Sequence, residues 1–206
     1  MNARRFIVSG TGTGVGKTIF AAALTQALKG VYWKPVQSGL AGETDSETVA
    51  RLSGRPVLPE AYRLKLPAAP HKSAAAEGIT IEIARLALPA TDAPLIVEGA
   101  GGLMVPLTGE ILFIDLFKQW DAPLILCAHT SLGIINQALL SLEAIRTRNI
   151  PLLGLAFIGD ANDDSEQAIV QFGKVKRLGR LAGIAPMTPE NLGQAFAAGF
   201  DLKDFR

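Results

Sequence analysis

Short runs of apolar residues alternate along this chain with segments whose apolar residues recur at helical spacing. The apolar runs predict six strands, at residues 5–9, 31–34, 95–98, 124–128, 152–158 and 179–181. The helical spacing predicts helices at residues 16–28, 45–53, 79–88, 112–120, 133–148 and 165–172, and a weaker one at 192–200. Several strands are apolar throughout, as buried parallel strands are. The alternation predicts an α/β protein of three layers, α/β/α, in which helices cover both faces of a mostly parallel central sheet.

A glycine-rich segment joins the first predicted strand to the first predicted helix. It reads Ser-Gly-Thr-Gly-Thr-Gly-Val-Gly-Lys-Thr from Ser9 to Thr18. Glycines allow backbone N–H groups to converge on phosphate oxygens, and the helix N-terminus adds positive potential. Lys17 would neutralise the β- and γ-phosphates, and the Thr18 hydroxyl would ligate Mg²⁺. The segment therefore predicts a phosphate-binding loop (P-loop), although Gly10 and Gly16 enclose five residues where the usual motif has four.

Charged residues follow other predicted strands at the point where each strand ends. Lys34 ends the second strand and Glu98 the third. A carboxylate at the end of a buried strand is costly unless it is paired or binds a metal. Asp45 opens the helix at 45–53, where Thr44 and Glu47 match a capping box. Because ligands bind beyond the carboxyl ends of parallel strands, we expect these groups to face the P-loop.

The start of the helix at 133–148 has two interpretations. Its free N–H groups, with the Asn136 side chain, would bind an anion. Alternatively, Ser131 or Thr130 simply caps the helix. The Pro- and Ala-rich segment at 56–78 has no clear predicted structure, but it is long enough for a functional loop.

Length, composition and net charge limit the kinds of protein that this chain can be. A length of 206 residues, 49% of them apolar, predicts a single domain. The net charge of +1 gives no field that attracts nucleic acid or an anionic membrane. Cys127, the only cysteine, lies in an apolar run and excludes an intrachain disulfide. No signal peptide and no apolar run of about 18 residues is present, so we expect a cytoplasmic protein.

Three segments together resemble the dethiobiotin synthetase family. They are the P-loop with its five-residue spacing, Lys34-Pro35-Val36-Gln37-Ser38-Gly39, and Glu98-Gly99-Ala100-Gly101-Gly102. The resemblance covers about residues 5–145. It implies a fold of the P-loop NTPase type and one ATP-dependent ligase domain over residues 1–206. It also implies a reaction in which 7,8-diaminononanoate, CO₂ and ATP, with Mg²⁺, give dethiobiotin, ADP and phosphate.

The resemblance also implies roles for individual residues. Catalytic roles fall to Thr13, Lys17 and Lys34, and Mg²⁺ ligation to Thr18, Asp45 and Glu98. The substrate would contact Ser38 through its carbamate end, and Gly133, Ile134, Ile135 and Asn136 of the neighbouring subunit in a homodimer through its carboxylate. Nucleotide contacts would come from Gly14, Val15, Gly16, Lys17, Thr18, Ile19, Glu98, Gly99, Ala100, Gly101, Gly159 and Asp160. Some positions depart from the family. Gly12 commonly is Asp, and Gly159 stands where some members place an Asn that reads adenine. The other departures are His129, Ile134, Gln137 and Ala182.

Other P-loop proteins remain as alternatives. A cobyrinate-type amide synthase also activates an acid by phosphorylation, but the segment from Lys34 to Ser38 favours dethiobiotin synthetase. A nucleotide-switched partitioning ATPase carries an extra Lys early in its P-loop, where this chain has Thr11 and Gly12. A GTPase switch needs an Asn-Lys-x-Asp motif, which the sequence lacks.

Overall fold

The computed structural model describes residues 4–205. Its strands are β1 (Arg5–Gly10), β2 (Val31–Trp33), β3 (Val36–Ser38), β4 (Val57–Leu58), β5 (Tyr62–Leu64), β6 (Leu95–Glu98), β7 (Leu124–His129), β8 (Leu152–Ile158) and β9 (Arg177–Leu181). Its α-helices are α1 (Lys17–Ala27), α2 (Asp45–Ser53), α3 (Pro70–Ala76), α4 (Phe113–Trp120), α5 (Ile134–Thr147), α6 (Asp163–Gly173) and α7 (Pro189–Gly199). Short 3₁₀ helices span Ile83–Leu86 and Leu202–Phe205.

Seven strands form one sheet in the order β4-β2-β6-β1-β7-β8-β9, and all of its neighbouring strands run parallel. β6 lies between β1 and β2, with Val8 opposite Glu98 and Tyr32 opposite Ile96. The carboxyl ends of β1, β2 and β6 therefore meet at one edge of the sheet. A second, two-stranded parallel sheet pairs β3 with β5 beyond β2.

Helices cover both faces of the sheet. On one face Phe20 of α1, Leu52 of α2 and Phe196 of α7 share a buried apolar cluster. On the other face Phe117 of α4 and Leu142 of α5 belong to a second cluster. These two clusters confirm the predicted three-layer α/β/α architecture with a parallel central sheet.

The helix predicted at 79–88 is wrong. Only the four residues Ile83–Leu86 turn, as a 3₁₀ helix that begins after the extended Glu82. Ile79-Thr80-Ile81 contains β-branched residues, which lose side-chain freedom in a helix, and Pro89 stops any continuation. The segment at 56–78, left without predicted structure, contains β4, β5 and α3.

Two further predictions concern single features of the fold. Cys127 is buried within β7, as its apolar run predicts, and burial raises the pKa of its thiol. The weak pattern at 192–200 corresponds to α7. Within residues 4–205, no helix is both long enough and apolar enough to cross a membrane.

We predict that truncating the aromatic cluster under α7 destabilises the fold strongly. Phe196 is 2% exposed, and its ring centroid lies 4.8 Å from Phe200 and 6.2 Å from Phe20. Phe196→Ala should lower the free energy of unfolding by about 3–5 kcal/mol, measured by urea denaturation. The matched control is Phe172→Ala on α6, where the ring is 71% exposed, and it should change stability by about 0.5 kcal/mol or less. Equal losses in the two variants would contradict this account of the core.

Candidate active site

A cavity of about 600 Å³ opens at the edge of the sheet where β1, β2 and β6 end. It collects most of the predicted site residues, namely Thr13, Gly14, Gly16, Lys17, Thr18, Ile19, Lys34, Ser38, Asp45, Glu98, Ala100 and Gly101. These residues lie on four separate segments of the sequence. Parallel strands bring them together because their carboxyl ends share one edge.

The P-loop turns into α1 at Gly16, which has φ 91°. A Cβ atom at this position would lie 2.7 Å from Cγ2 of Ile158, so both backbone and space require glycine. Lys17 is buried and its ammonium donates to the Gly12 carbonyl at 2.8 Å. Burial lowers the pKa of Lys17. The loop thus holds a cation beside the N-terminus of α1, as a phosphate site requires.

Glu98 is the most enclosed charged group of the cavity, with 1% of its surface exposed. Its Oε1 accepts a hydrogen bond from Thr18 Oγ1 at 2.9 Å, and its Oε2 accepts one from the Tyr32 hydroxyl at 2.8 Å. Burial and Glu98 raise the pKa of Tyr32 well above its ordinary value, so that hydroxyl remains a donor. Hydrogen bonds and an ion pair therefore offset the cost of burying this carboxylate.

The Lys34 ammonium lies between two carboxylates. Its Nζ is 2.6 Å from Asp45 Oδ2 and 3.4 Å from Glu98 Oε1, and it donates to the Gly99 carbonyl at 3.5 Å. Burial favours the neutral amine, but Glu98 and Asp45 outweigh burial and raise the pKa of Lys34. Burial likewise opposes the charge of Asp45, yet Lys34 outweighs it and lowers the pKa of Asp45. Lys34 and Asp45 are therefore both charged at neutral pH.

The N-terminal cap of α2 positions Asp45. Thr44 caps α2, and its Oγ1 accepts from the Glu47 N–H at 3.3 Å while Glu47 Oε2 accepts from the Thr44 N–H at 2.7 Å. This confirms the predicted capping box. Asp45 is the first residue of α2, so the cap fixes the backbone from which its carboxylate reaches Lys34.

The oxygen atoms around Lys34 suit Mg²⁺. In the described part of the chain, no three His, Cys, Asp or Glu side chains converge on one point. Mg²⁺, however, typically takes only one or two carboxylates together with substrate phosphates. Thr18, Asp45 and Glu98 supply one hydroxyl and two carboxylates, all hard oxygen ligands, and the two carboxylates already bind a positive charge. The donor set therefore fits this ion.

Two buried polar atoms on the cavity wall have no hydrogen-bond partner within residues 4–205. They are Ser38 Oγ, which the sequence predicted to bind substrate, and Gln37 Oε1, which it did not single out. The Gln37 amide nitrogen donates to the carbonyls of Ser38 and Gly39, at 3.3 and 3.1 Å. These two acceptors fix the amide orientation and leave Oε1 unpaired. Both atoms can accept hydrogen bonds from a ligand.

The remaining predicted residues do not line this cavity. Val15 and Gly99 flank it, and a Cβ at Gly99 would meet the Phe117 ring at 2.6 Å. The segment from Gly133 to Asn136 begins α5 elsewhere, and Gly159 follows β8 together with Asp160. Ser131 and Thr130 do not cap α5 in the structure of residues 4–205; Gly133 is the N-cap, with φ 91° and no side-chain bond. The capping interpretation is therefore wrong.

The structure adds cavity residues that sequence analysis missed. Pro67, Ala68, Ala69 and Pro70 form one wall, at the entrance to α3. The length of the segment at 56–78 indicated a functional loop here but did not identify these residues. Tyr32 was missed although it lies two residues before Lys34, the spacing that places side chains on the same face of a strand.

Comparisons with known proteins agree with this geometry. A family model described as an AAA domain matches residues 4–191. The chain is 59% identical over 204 residues to the ATP-dependent dethiobiotin synthetase BioD of Agrobacterium fabrum, covering 98% of this chain and 96% of that protein. It is 57% identical to the protein of the same name from Brucella melitensis biotype 1, with the same coverage.

Solved structures extend the likeness at the level of fold. A ParA family ATPase from Chlorobium tepidum superposes with a TM-score of 0.59 at 15% identity, covering 95% of this chain and 91% of that one. A chain of the MinC:MinD cell division complex of Aquifex aeolicus gives 0.55 at 12% identity, covering 94% and 86%. Identities this low show a shared fold only. With 59% identity along nearly its whole length, the chain belongs to the ATP-dependent dethiobiotin synthetase family.

Proposed function

We propose that this protein closes the ureido ring of dethiobiotin from 7,8-diaminononanoate, CO₂ and ATP, and that residues 1–206 act as one ligase domain. The observation that carries the proposal is the buried ammonium of Lys34, held between Asp45 and Glu98 in the same cavity as the P-loop lysine. A site for joining two anions needs fixed positive charge at this place.

The reaction proceeds in three steps. One substrate amine adds to CO₂, loses a proton and becomes a carbamate. A carbamate oxygen then attacks the γ-phosphorus of ATP, and the bond to ADP breaks. The second amine attacks the carbonyl carbon of this mixed anhydride, loses a proton and expels phosphate, which closes the ring.

The residues act mainly by positioning and by electrostatics. Lys17 neutralises the β- and γ-phosphates, and Lys34 holds the carbamate near them. Thr13, on the cavity wall, lies near the reacting groups. Thr18, Asp45 and Glu98 would hold Mg²⁺, which when bound supplies charge neutralisation on the phosphates. That charge is needed because Asp45 and Glu98 already balance the two ammonium groups.

The nucleotide and the carbamate have separate binding groups in this proposal. The backbone of the P-loop and of residues 99–101 holds the phosphates, and Gly159 and Asp160 lie toward the base. Ser38 receives the carbamate end, because its buried hydroxyl has no partner in the described residues 4–205. An amide synthase of the cobyrinate type is not favoured, since the relatives over the full length are dethiobiotin synthetases. A cytoplasmic location without nucleic-acid partners stays a prediction.

We further propose a homodimer in which the start of α5 from one subunit completes the site of its partner. Gly133 to Asn136 do not line the cavity of their own chain, yet the N-terminus of α5 suits a carboxylate. Around this helix start the chain exposes the apolar side chains of Leu132, Ile135, Leu140 and Met104. An interface over them would carry the helix start to a second copy.

The activity itself is tested by mixing purified protein with Mg²⁺-ATP, bicarbonate and 7,8-diaminononanoate. We expect dethiobiotin by mass spectrometry, and ADP release that depends on the diamine. Reactions without bicarbonate or without Mg²⁺ serve as controls. Folded protein that forms no dethiobiotin under these conditions would overturn the proposal.

Lys34→Ala should separate catalysis from nucleotide binding. We expect kcat to fall by ~10² or more while the Kd for ATP stays close to that of the wild type, because the charge acts where negative charge accumulates. Lys118→Ala on α4 is the matched control, since that lysine is exposed and does not line the cavity. The midpoint of thermal unfolding should be measured alongside the kinetics, because Lys34→Ala removes a buried partner of Glu98 and can destabilise the fold. Equal loss of ATP affinity and rate would make Lys34 a nucleotide ligand only.

Complementation between two inactive variants tests the shared site. Asn136→Asp places a negative charge beside the substrate carboxylate, and Lys34→Ala disables the catalytic centre of its own chain. If the site is built from two subunits, a mixed dimer retains one intact site, and an equal mixture should recover roughly a quarter of wild-type activity.

The control for complementation is each variant mixed with itself, which should remain inactive after the same subunit exchange. If all site residues came from one chain, the mixture would recover nothing. That result, obtained with dimers shown to have exchanged, would contradict the shared site without affecting the proposed reaction.

A further inference from the structure

The two oxygens of the Glu98 carboxylate have different surroundings. Oε2 accepts the Tyr32 hydroxyl at 2.8 Å, and this contact is fully buried. Oε1 accepts Thr18 Oγ1 at 2.9 Å and lies 3.4 Å from the Lys34 ammonium. One oxygen thus faces the core and the other faces the groups that line the cavity.

The pairing of β2 with β6 explains why the two oxygens of Glu98 have different surroundings. Tyr32 of β2 pairs with Ile96 of β6 in parallel register. Side chains two residues apart share a strand face, so Ile96 and Glu98 project to the same side. On that side Tyr32 belongs to the same buried apolar cluster as Phe20 and Leu24 of α1, and none of its surface is exposed. The hydroxyl therefore has no access to solvent as an alternative partner.

We propose that Tyr32 is a positioning residue, which holds Oε2 of Glu98 in the core so that Oε1 alone is presented to Mg²⁺. The inference rests on the proposed role of Glu98 as a ligand. Mg²⁺ demands near-ideal octahedral geometry, so a carboxylate fixed to offer one oxygen suits it better than one that rotates. Partners that orient a ligand commonly matter for metal affinity nearly as much as the ligand itself.

Tyr32→Phe removes the hydroxyl and keeps the ring. We expect the Mg²⁺ concentration for half-maximal binding of a non-hydrolysable ATP analogue to rise about 10-fold or more, measured by calorimetry. The KM for the diamine at saturating Mg²⁺ should stay unchanged. Tyr62→Phe is the matched control, because Tyr62 is the only other tyrosine, is also buried, and its hydroxyl accepts the Glu82 N–H at 2.8 Å. Its Mg²⁺ dependence should equal that of the wild type.

A merely structural role gives a different result. Tyr32→Phe would then lower the midpoint of thermal unfolding but leave the Mg²⁺ dependence of nucleotide binding at the wild-type value, which would overturn the inference. The binding measurement also separates this inference from the proposed function. A wild-type protein that makes no dethiobiotin, but whose Mg²⁺-dependent nucleotide binding is weakened in Tyr32→Phe, contradicts the reaction and supports the positioning.

A second measurement covers the case in which Tyr32→Phe does not fold. The wild-type chain labelled with 3-fluorotyrosine gives two fluorine resonances, one per tyrosine, and the Tyr62→Phe variant assigns them. Adding Mg²⁺ to the protein with the ATP analogue should shift the resonance of Tyr32 and leave that of Tyr62 in place. A Tyr32 resonance that does not respond to Mg²⁺ would overturn the inference.

Discussion

The buried ion pair of Lys34 and Glu98, with Asp45 as its third member, connects four elements of this structure. Lys34 follows β2, Glu98 ends β6, Asp45 begins α2, and Thr18 of α1 donates to the same carboxylate. Each buried ion costs several kcal/mol of solvation, which the geometry must repay. Removing one partner of such a pair typically costs about 3–5 kcal/mol. Stability and chemistry therefore depend on the same side chains.

The charged groups around Lys34, and not the fold, distinguish this cavity from a site that binds only a nucleotide. ParA- and MinD-type proteins have the same layers at 12–15% identity. A P-loop lysine alone suits binding of a triphosphate. The second ammonium, buried beyond β2, gives this cavity a place for another anion next to the nucleotide. We therefore propose that the segment from Lys34 to Ser38 carries the specificity, whereas the fold supplies the edge of the sheet on which this segment lies.

The sequence predicted features that are set by local or strongly periodic signals. Long apolar runs gave the strands, the P-loop spacing located Lys17, and the capping box located Asp45. Most interactions between segments that are distant in the chain could not be predicted from the sequence. The bond from Tyr32 to Glu98 exists only because β2 pairs with β6 in one register. The prediction of a helix at 79–88 was wrong because it relied on the spacing of apolar residues. In the structure, the β-branched residues and Pro89 prevent a helix of that length.

The role of the start of α5 could not be predicted from the contacts of a single chain. Gly133 caps this helix with no side-chain acceptor among the described residues. The Ile134 N–H donates to the Ser131 carbonyl at 3.3 Å, so the N–H groups of the next residues are the ones left for a ligand. Its own chain gives it no place in the cavity, because β7 and α5 lie on the other side of β1 from Lys34. A carboxylate site here joins the reacting centre only through a second copy. In the homodimer that we propose, association completes the site, so we expect activity to depend on protein concentration as mass action requires.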